Sequence, residues 1–193
     1  RNIAHHYDLD EDLFRVCLDQ EMHYSCAYFA QPDMSLEDAQ QAKSAHIATK
    51  LNLQPGQRVL DIGCGSGVLS VLASMKKSSS VIAVDIDKWS FQNTLENIAI
   101  NKITNIHVIQ GGAEVIKDVN DFDIIFANIN KNILLRDIKC YSDALVDGGF
   151  VYFSGFYSKD LKDITEMAKT NNLEYLHNLE NNDWVACVFK KHI

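Results

Sequence analysis

A chain of 193 residues, 47% hydrophobic and 23% charged, is long enough for one α/β domain with a substantial core and too short for two full ones. Its net charge of −8, with acids spread along the chain, gives no electrostatic footprint for a nucleic-acid backbone or an anionic membrane. The cysteines Cys17, Cys26, Cys64, Cys140 and Cys187 form no C-x-x-C pair and gather no histidines, which excludes a zinc site or disulfide frame and reads as reduced thiols.

No apolar run approaches the ~20 residues that span a bilayer and no signal peptide is read, so the expected setting is cytoplasmic. From the start of the chain, the spacing of Leu13, Phe14, Cys17 and Leu18 predicts a helix over Glu11 to Gln20. The aromatic-rich Met22-His23-Tyr24-Ser25-Cys26-Ala27-Tyr28-Phe29 follows, a candidate cap or lid. Ser35 is placed to cap the next helix, with Asp38 standing in for the usual Glu, and Pro55-Gly56 stops it after Leu53. Ala39, Ala42, Ile47 and Leu51 suggest its buried face, and His46 has no second ligand one turn away.

Val59 to Ile62 then reads as a strand that breaks into Gly63-Cys64-Gly65-Ser66-Gly67 and resumes as a helix to about Met75. Glycines let a backbone reverse and approach a ligand closely, so a nucleotide-like molecule fits this loop; the plainer reading is a simple strand-to-helix turn. A dinucleotide fingerprint counted from Gly63 would put its last small residue at Val68, which is too large for the close helix packing required. A phosphate-cradling P-loop also fails, because no Lys-Ser/Thr pair follows the glycines. Asp61 precedes the loop, and Asp85 ends the next apolar run, Val81-Ile82-Ala83-Val84, reached through a polar connection over Lys76 to Ser80. Asp87 can cap a helix from Lys88 to about Asn101, with Phe91, Leu95 and Ile98 facing the sheet. A third strand, Ile106 to Ile109, ends in Gly111-Gly112-Ala113-Glu114.

The fourth strand, Phe122 to Ala127, runs into Asn128-Ile129-Asn130 and a helix from about Lys131 to Leu145. Asn128 therefore lies at the carboxyl end of the sheet, where ligands gather, and its neutral amide can orient an amine through the carbonyl oxygen. Asparagine also favours such a turn for purely local reasons. Asp147-Gly148-Gly149 is expected to turn into a fifth strand, Phe150 to Phe153, ending at Ser154-Gly155. A helix near Lys159 to Thr170, a strand near Leu173 to Leu179, a turn at Asn181-Asn182 and a strand from Trp184 to Phe189 close the chain as an antiparallel edge hairpin. The sum is one α/β domain: an N-terminal helical arm over 1–54, then a doubly wound, seven-stranded sheet over 55–193, mostly parallel with the last strand antiparallel.

The G-x-G-x-G loop with acids at 61 and 85 resembles the class I S-adenosylmethionine methyltransferases. That resemblance implies S-adenosylmethionine or S-adenosylhomocysteine as the cofactor and no metal. Gly63, Gly65, Ser66 and Gly67 would back the methionine moiety, with Asp61 near its amino group, partly through water. Asp85 would take the ribose hydroxyls, since a carboxylate offers two acceptors to two neighbouring O–H donors. Ile86 is a further cofactor-binding candidate, and Gly112 and Ala113 are adenine-side candidates because the third strand end joins the first two around one crevice.

The arm is more specific. His5-His6-Tyr7-Asp8-Leu9, Tyr24 to Phe29, and Ser35 to Lys43 closely resemble the start of the cyclopropane fatty acid and mycolic acid cyclopropane synthases, up to about Gly65. By that resemblance Tyr24 and Ser25 contact the cofactor and Cys26 helps hold a bicarbonate base. From about Ile62 onward the chain instead looks like the catalytic domain of the methyltransferase for large-subunit ribosomal protein L-eleven. The motifs are Gly63 to Gly67, Ala83 to Asp87, Ala127 to Leu134, Ser154-Gly155-Phe156-Tyr157 and Trp184-Val185-Ala186. It implies cofactor roles for Gly63, Asp85 and Asn128, the last also facing the reaction.

The chain departs from each family where its acceptor is handled. It carries Asn128-Ile129-Asn130 in place of the Glu-His pair of the lipid enzymes, lacks their long lipid-pocket insertion, and has their arm instead of a domain that recruits a ribosomal protein. The expectation is a chimera, joined within about residues 59 to 65, that binds the cofactor and turns over little. Its acceptor would be a protein amine or, alternatively, a lipid alkene; a folded hybrid with no biological substrate is the third reading.

Overall fold

The computed structural model describes residues 31, 33–39, 51, 53–117 and 119–192. The chain divides into two compact units, Arg1–Asn52 and Leu53–Ile193. In the first, residues 36–39 are helical and Ser35 caps them as expected. Its Oγ accepts from the Asp38 amide at 3.1 Å and donates to the Asp38 carboxylate at 2.8 Å. The expected Glu11 to Gln20 helix, the segment with Tyr24, Ser25 and Cys26, and His46 lie outside the described residues.

The second unit alternates strands and helices: β1 (Arg58–Ile62), α1 (Val68–Met75), β2 (Ser80–Asp85), α2 (Lys88–Ile100), β3 (Ile106–Gln110), β4 (Phe122–Asn128), α3 (Lys131–Ala144), β5 (Leu145–Tyr157), α4 (Leu161–Thr170), β6 (Leu173–Asn181) and β7 (Trp184–Lys191). They build one seven-stranded sheet in the order β3-β2-β1-β4-β5-β7-β6. The β1, β2 and β4 sequences are mostly apolar because both faces of a central parallel strand are covered. Val59, Leu60, Ile124 and Ile125 are accordingly almost fully buried. Right-handed crossovers run outward from β1 to β3 and from β4 to β5 in opposite directions, which sends α1 and α2 to one face and α3 to the other. Strand order therefore reverses between β1 and β4, and a crevice opens at their carboxyl ends.

In the core, the ring of Phe153 of β5 lies 6.1 Å from Tyr141 of α3 and 5.4 Å from Phe189 of β7. Leu134, Ile138, Ile164 and Ala168 from α3 and α4 close over it. Each large apolar side chain buried in this way contributes about 1.5–3 kcal/mol.

Three local expectations are revised. On α2, Leu95 is exposed and Thr94 is fully buried, so the helix turns a polar residue inward; its partners are described below. The fifth strand begins at Leu145, and Asp147-Gly148-Gly149 lies inside it. The register against β4 jumps from Phe122↔Leu145 to Ile124↔Phe150, so the glycine pair makes an irregularity within the strand. β5 also continues past Ser154 to Tyr157. The closing hairpin is present, with its turn one residue later than expected: Asn182 and Asp183 take φ of 49° and 64°, the left-handed pair of a tight two-residue turn. β7 runs antiparallel between β5 and β6, so β6 is one edge of the sheet and β3 the other. Among the described residues no helix is long and apolar enough to cross a membrane.

Candidate functional site

β1 delivers the glycine loop to the crevice by pairing Ile62 with Val84 of β2 on one side and Ala127 of β4 on the other. The loop holds its shape by internal bonds. The amides of Gly63 and Cys64 both donate to the Val84 carbonyl, at 2.8 and 3.1 Å, and that of Gly67 donates to the Cys64 carbonyl at 2.8 Å. The Gly65 amide donates to Asp85 Oδ2 at 2.9 Å. With these amides committed to the protein, the loop is no phosphate cradle. The loop packs tightly against the turn after β4 at Gly63, where φ is 70° and a Cβ would stand 2.4 Å from Ile129 Cγ2.

α2 supports the loop from outside. Thr94 Oγ1 donates to the Gly65 carbonyl at 2.9 Å, and Asn97 Nδ2 donates to the Ser66 carbonyl at 2.8 Å. Apolar spacing along the sequence does not point to these residues. A signal was present: Thr94 falls on the same helical face as Phe91 and Ile98. The Asp87 cap of α2 is as expected, its carboxylate accepting from the Ser90 amide at 2.8 Å.

Asp85 closes β2, with 9% of its surface exposed. Oδ1 accepts from the Asp87 amide and Oδ2 from the Gly65 amide, both at 2.9 Å. Each carboxylate oxygen has a second lone pair left. Two neighbouring hydroxyls on a ligand are the donors that such a fixed pair of acceptors suits. Ile86, 77% exposed beside it, leaves an apolar side chain uncovered at the end of β2. This acceptor pair beside the glycine loop thus fits a nucleoside with a free ribose.

Asp61 sits deeper, 2% exposed, and accepts from Ser70 Oγ at 2.6 Å. Burial pushes its carboxyl up to about 6, against the lowering bonds from Ser70, with a smaller contribution from Asp85. Burial also pushes the Cys64 thiol up to about 12, which makes it a packing residue and no nucleophile.

The remaining expected residues divide. Ser66 is exposed and Gly65 half-buried on the loop, whereas Gly67 is buried and turned against Thr94, its Cβ position 2.7 Å from Thr94 Cγ2. Ala113 is buried, and its carbonyl takes the Cys140 thiol at 3.3 Å. The Gly112 amide donates to Glu114 at 2.7 Å, a bond that holds the Glu114 carboxyl below its ordinary value. Glu114 therefore shapes this rim, and only its position beside the glycines hinted at it.

Asn128 ends β4 across the switch point from Gly63, exposed and paired in register with Ser154 of β5. The Ile129 amide donates to the Ser154 carbonyl at 3.0 Å. One turn on, the Lys131 ammonium bridges Asp160 at 3.0 Å and Asp163 at 2.6 Å, tying the start of α3 to that of α4. Among the described residues no three His, Cys, Asp or Glu side chains gather to hold a metal. Cys64, Cys140 and Cys187 are free thiols.

Comparison with known proteins agrees with this geometry. The family model described as mycolic acid cyclopropane synthetase matches residues 1–133. A ribosomal protein L11 methyltransferase from Phocaeicola vulgatus is 44% identical over 134 residues, 69% of this chain and 48% of that protein. Cyclopropane mycolic acid synthase 2 from Mycobacterium leprae is 32% identical over 157 residues, 80% of this chain and 49% of its own length. The chain thus spans about half the length of these curated relatives. Among solved structures, a ribosomal protein L11 methylase from Lactobacillus delbrueckii subsp. bulgaricus superposes with a TM-score of 0.70 at 27% identity, over 84% of this chain and 89% of that one.

Proposed function

The chain belongs to the mycolic acid cyclopropane synthetase family, within the S-adenosylmethionine-dependent class I methyltransferases, and we propose that its crevice directs methyl transfer to an amine nitrogen. The cofactor, S-adenosylmethionine, supplies an electrophilic methyl on a sulfonium. Asp85 would accept from both ribose hydroxyls, Ile86 would cover the base, and the loop from Gly63 to Ser66 would lie along the methionine moiety. Asp61, through Ser70 and the loop it supports, would favour the amino group with its negative charge.

The observation that carries the amine reading is Asn128. It is exposed at the carboxyl end of β4, opposite the glycine loop, and it is uncharged. Its carbonyl oxygen can accept an N–H from the acceptor and so aim the nitrogen lone pair at the methyl group, while adding no charge to desolvate. Orientation of this kind, with water excluded, is most of what such a transfer asks of a protein.

A second reading, transfer to a lipid alkene, is favoured by the family match through residue 133 and by the Mycobacterium leprae relative. Against it stands Asn128-Ile129-Asn130, where the lipid enzymes are expected to carry a Glu-His pair for their base. We further propose that the sequence joins two methyltransferase lineages near residues 59 to 65, works in the cytoplasm, and transfers slowly to either lineage's acceptor. Incubation with methyl-labelled S-adenosylmethionine and, separately, a lysine-rich ribosomal protein or unsaturated phospholipid vesicles tests these readings. Slow label transfer to protein amines, lost in Asn128→Ala, is expected. Robust labelling of the phospholipid would overturn the amine reading, and fast turnover on either would overturn the hybrid.

A further inference from the structure

The motif Ser154-Gly155-Phe156-Tyr157 takes no part in the transfer as described, yet the fold brings its glycine against the one residue on which the amine reading rests. Against β7, Ser154 pairs with Ala186 and Phe156 with Val185, so Gly155 is the extra residue of a β-bulge. Its φ is +88°, a left-handed value that favours glycine. The bulge occurs where β5 passes the end of β4, immediately after the Asn128↔Ser154 pair and the bond from the Ile129 amide to the Ser154 carbonyl. A Cβ at 155 would lie 2.8 Å from Asn128 Oδ1, 2.9 Å from the Ile129 nitrogen and 3.1 Å from the Asn128 carbonyl carbon. The Asn128 carboxamide therefore rests in the space that a side chain at 155 would fill.

We propose that Gly155 is a positioning residue: the missing Cβ at the β5 bulge is the slot that sets the Asn128 carboxamide, and with it the approach of the acceptor amine. This rests on the methyltransferase reading of the crevice. The bulge and the motif then have one purpose, to place a side-chain-free backbone beside the turn after β4. Gly63 serves the same turn from the opposite side through Ile129. Asn128 and Ile129 are thus held between two glycines.

Strain at a positive φ would confuse the obvious variant, and Gly56 provides a matched control. Its φ is +87°, and no atom lies within 4 Å of its Cβ position. Gly56→Ala carries the same backbone strain as Gly155→Ala without touching Asn128. Binding is measured by calorimetry with S-adenosylhomocysteine and with sinefungin, which presents an ammonium where the sulfonium methyl would lie. The ratio of the two affinities reads the Asn128 carbonyl. Gly155→Ala should lower sinefungin affinity roughly tenfold or more relative to S-adenosylhomocysteine, because a hydrogen bond to a charged group is lost. Asn128→Ala should do the same, the double variant should lose nothing further, and Gly56→Ala should leave the ratio unchanged.

An unchanged ratio in Gly155→Ala, with S-adenosylhomocysteine still bound, overturns the inference and leaves the methyltransferase reading standing. Failure of the wild type to bind S-adenosylhomocysteine overturns both. If Gly155→Ala does not fold, the wild type decides: an NMR cross-peak between the Gly155 α-protons and the Asn128 side-chain amide is expected, and its absence refutes the placement.

Discussion

Replacing Asp61 by asparagine should make the protein's stability less dependent on pH, in a direction fixed by the burial of this carboxylate. Asp61 is 2% exposed, and its carboxyl is raised to about 6 from an ordinary 3.8, chiefly by desolvation. A raised carboxyl means that the folded state holds the proton more tightly than the unfolded one. Its stabilising contribution is complete below about pH 3.8 and is lost as pH rises through 6. Because a tenfold change in proton affinity is worth about 1.4 kcal/mol, ionised Asp61 costs the fold roughly 2–3 kcal/mol at neutral pH. Asp61→Asn keeps an acceptor for Ser70 Oγ, now 2.6 Å away, and removes the titration. The substitution also buries a new amide nitrogen, so the pH dependence is more informative than the absolute change. Urea denaturation of both proteins at about pH 4 and about pH 7 should show the variant gaining roughly 2 kcal/mol on the wild type between the two conditions. An equal difference at both pH values would refute the assignment of a buried, raised carboxyl.

The supports of the loop give further tests. Asp87→Ala removes the side-chain acceptor for the Ser90 amide and should cost about 1 kcal/mol in urea denaturation; no change would mean that water caps α2 equally well. Thr94→Val keeps shape but deletes the donor to the Gly65 carbonyl, 2.9 Å away in a fully buried position. It should cost about 1–3 kcal/mol and also weaken S-adenosylhomocysteine binding, whereas a stability loss with unchanged affinity would make Thr94 a core residue only.

What the sequence makes legible follows from which interactions are local. Val59 to Ile62, Val81 to Val84 and Phe122 to Ala127 read as strands because strands covered on both faces are written as mostly apolar runs, the first and third interrupted only by Asp61 and Asp123. Asp87 and Ser35 read as caps because a cap is a bond across three residues. Asp85 and the glycine loop carry a family pattern, and the fold brings them together through the Gly65 amide. Thr94 stays hidden because it is buried against a loop 29 residues earlier, a contact that apolar periodicity within one helix does not encode. The start of β5 is misplaced for a related reason. Glycines at 148 and 149 read as a turn, and only pairing with β4 reveals them as an irregularity inside a strand. Gly112 looks free for a ligand until the fold gives its amide to Glu114.

The central claim is that the carboxyl ends of β1, β2 and β4 form a nucleoside crevice with Asp85 on the ribose. Calorimetric titration of S-adenosylhomocysteine into the wild type and Asp85→Ala, each shown folded by near-ultraviolet circular dichroism, tests it most directly. The account predicts stoichiometric binding by the wild type and an affinity lower by about 1.5–3 kcal/mol, roughly 10- to 150-fold, in the variant. No binding by the wild type, or equal affinity in a folded Asp85→Ala protein, would contradict it.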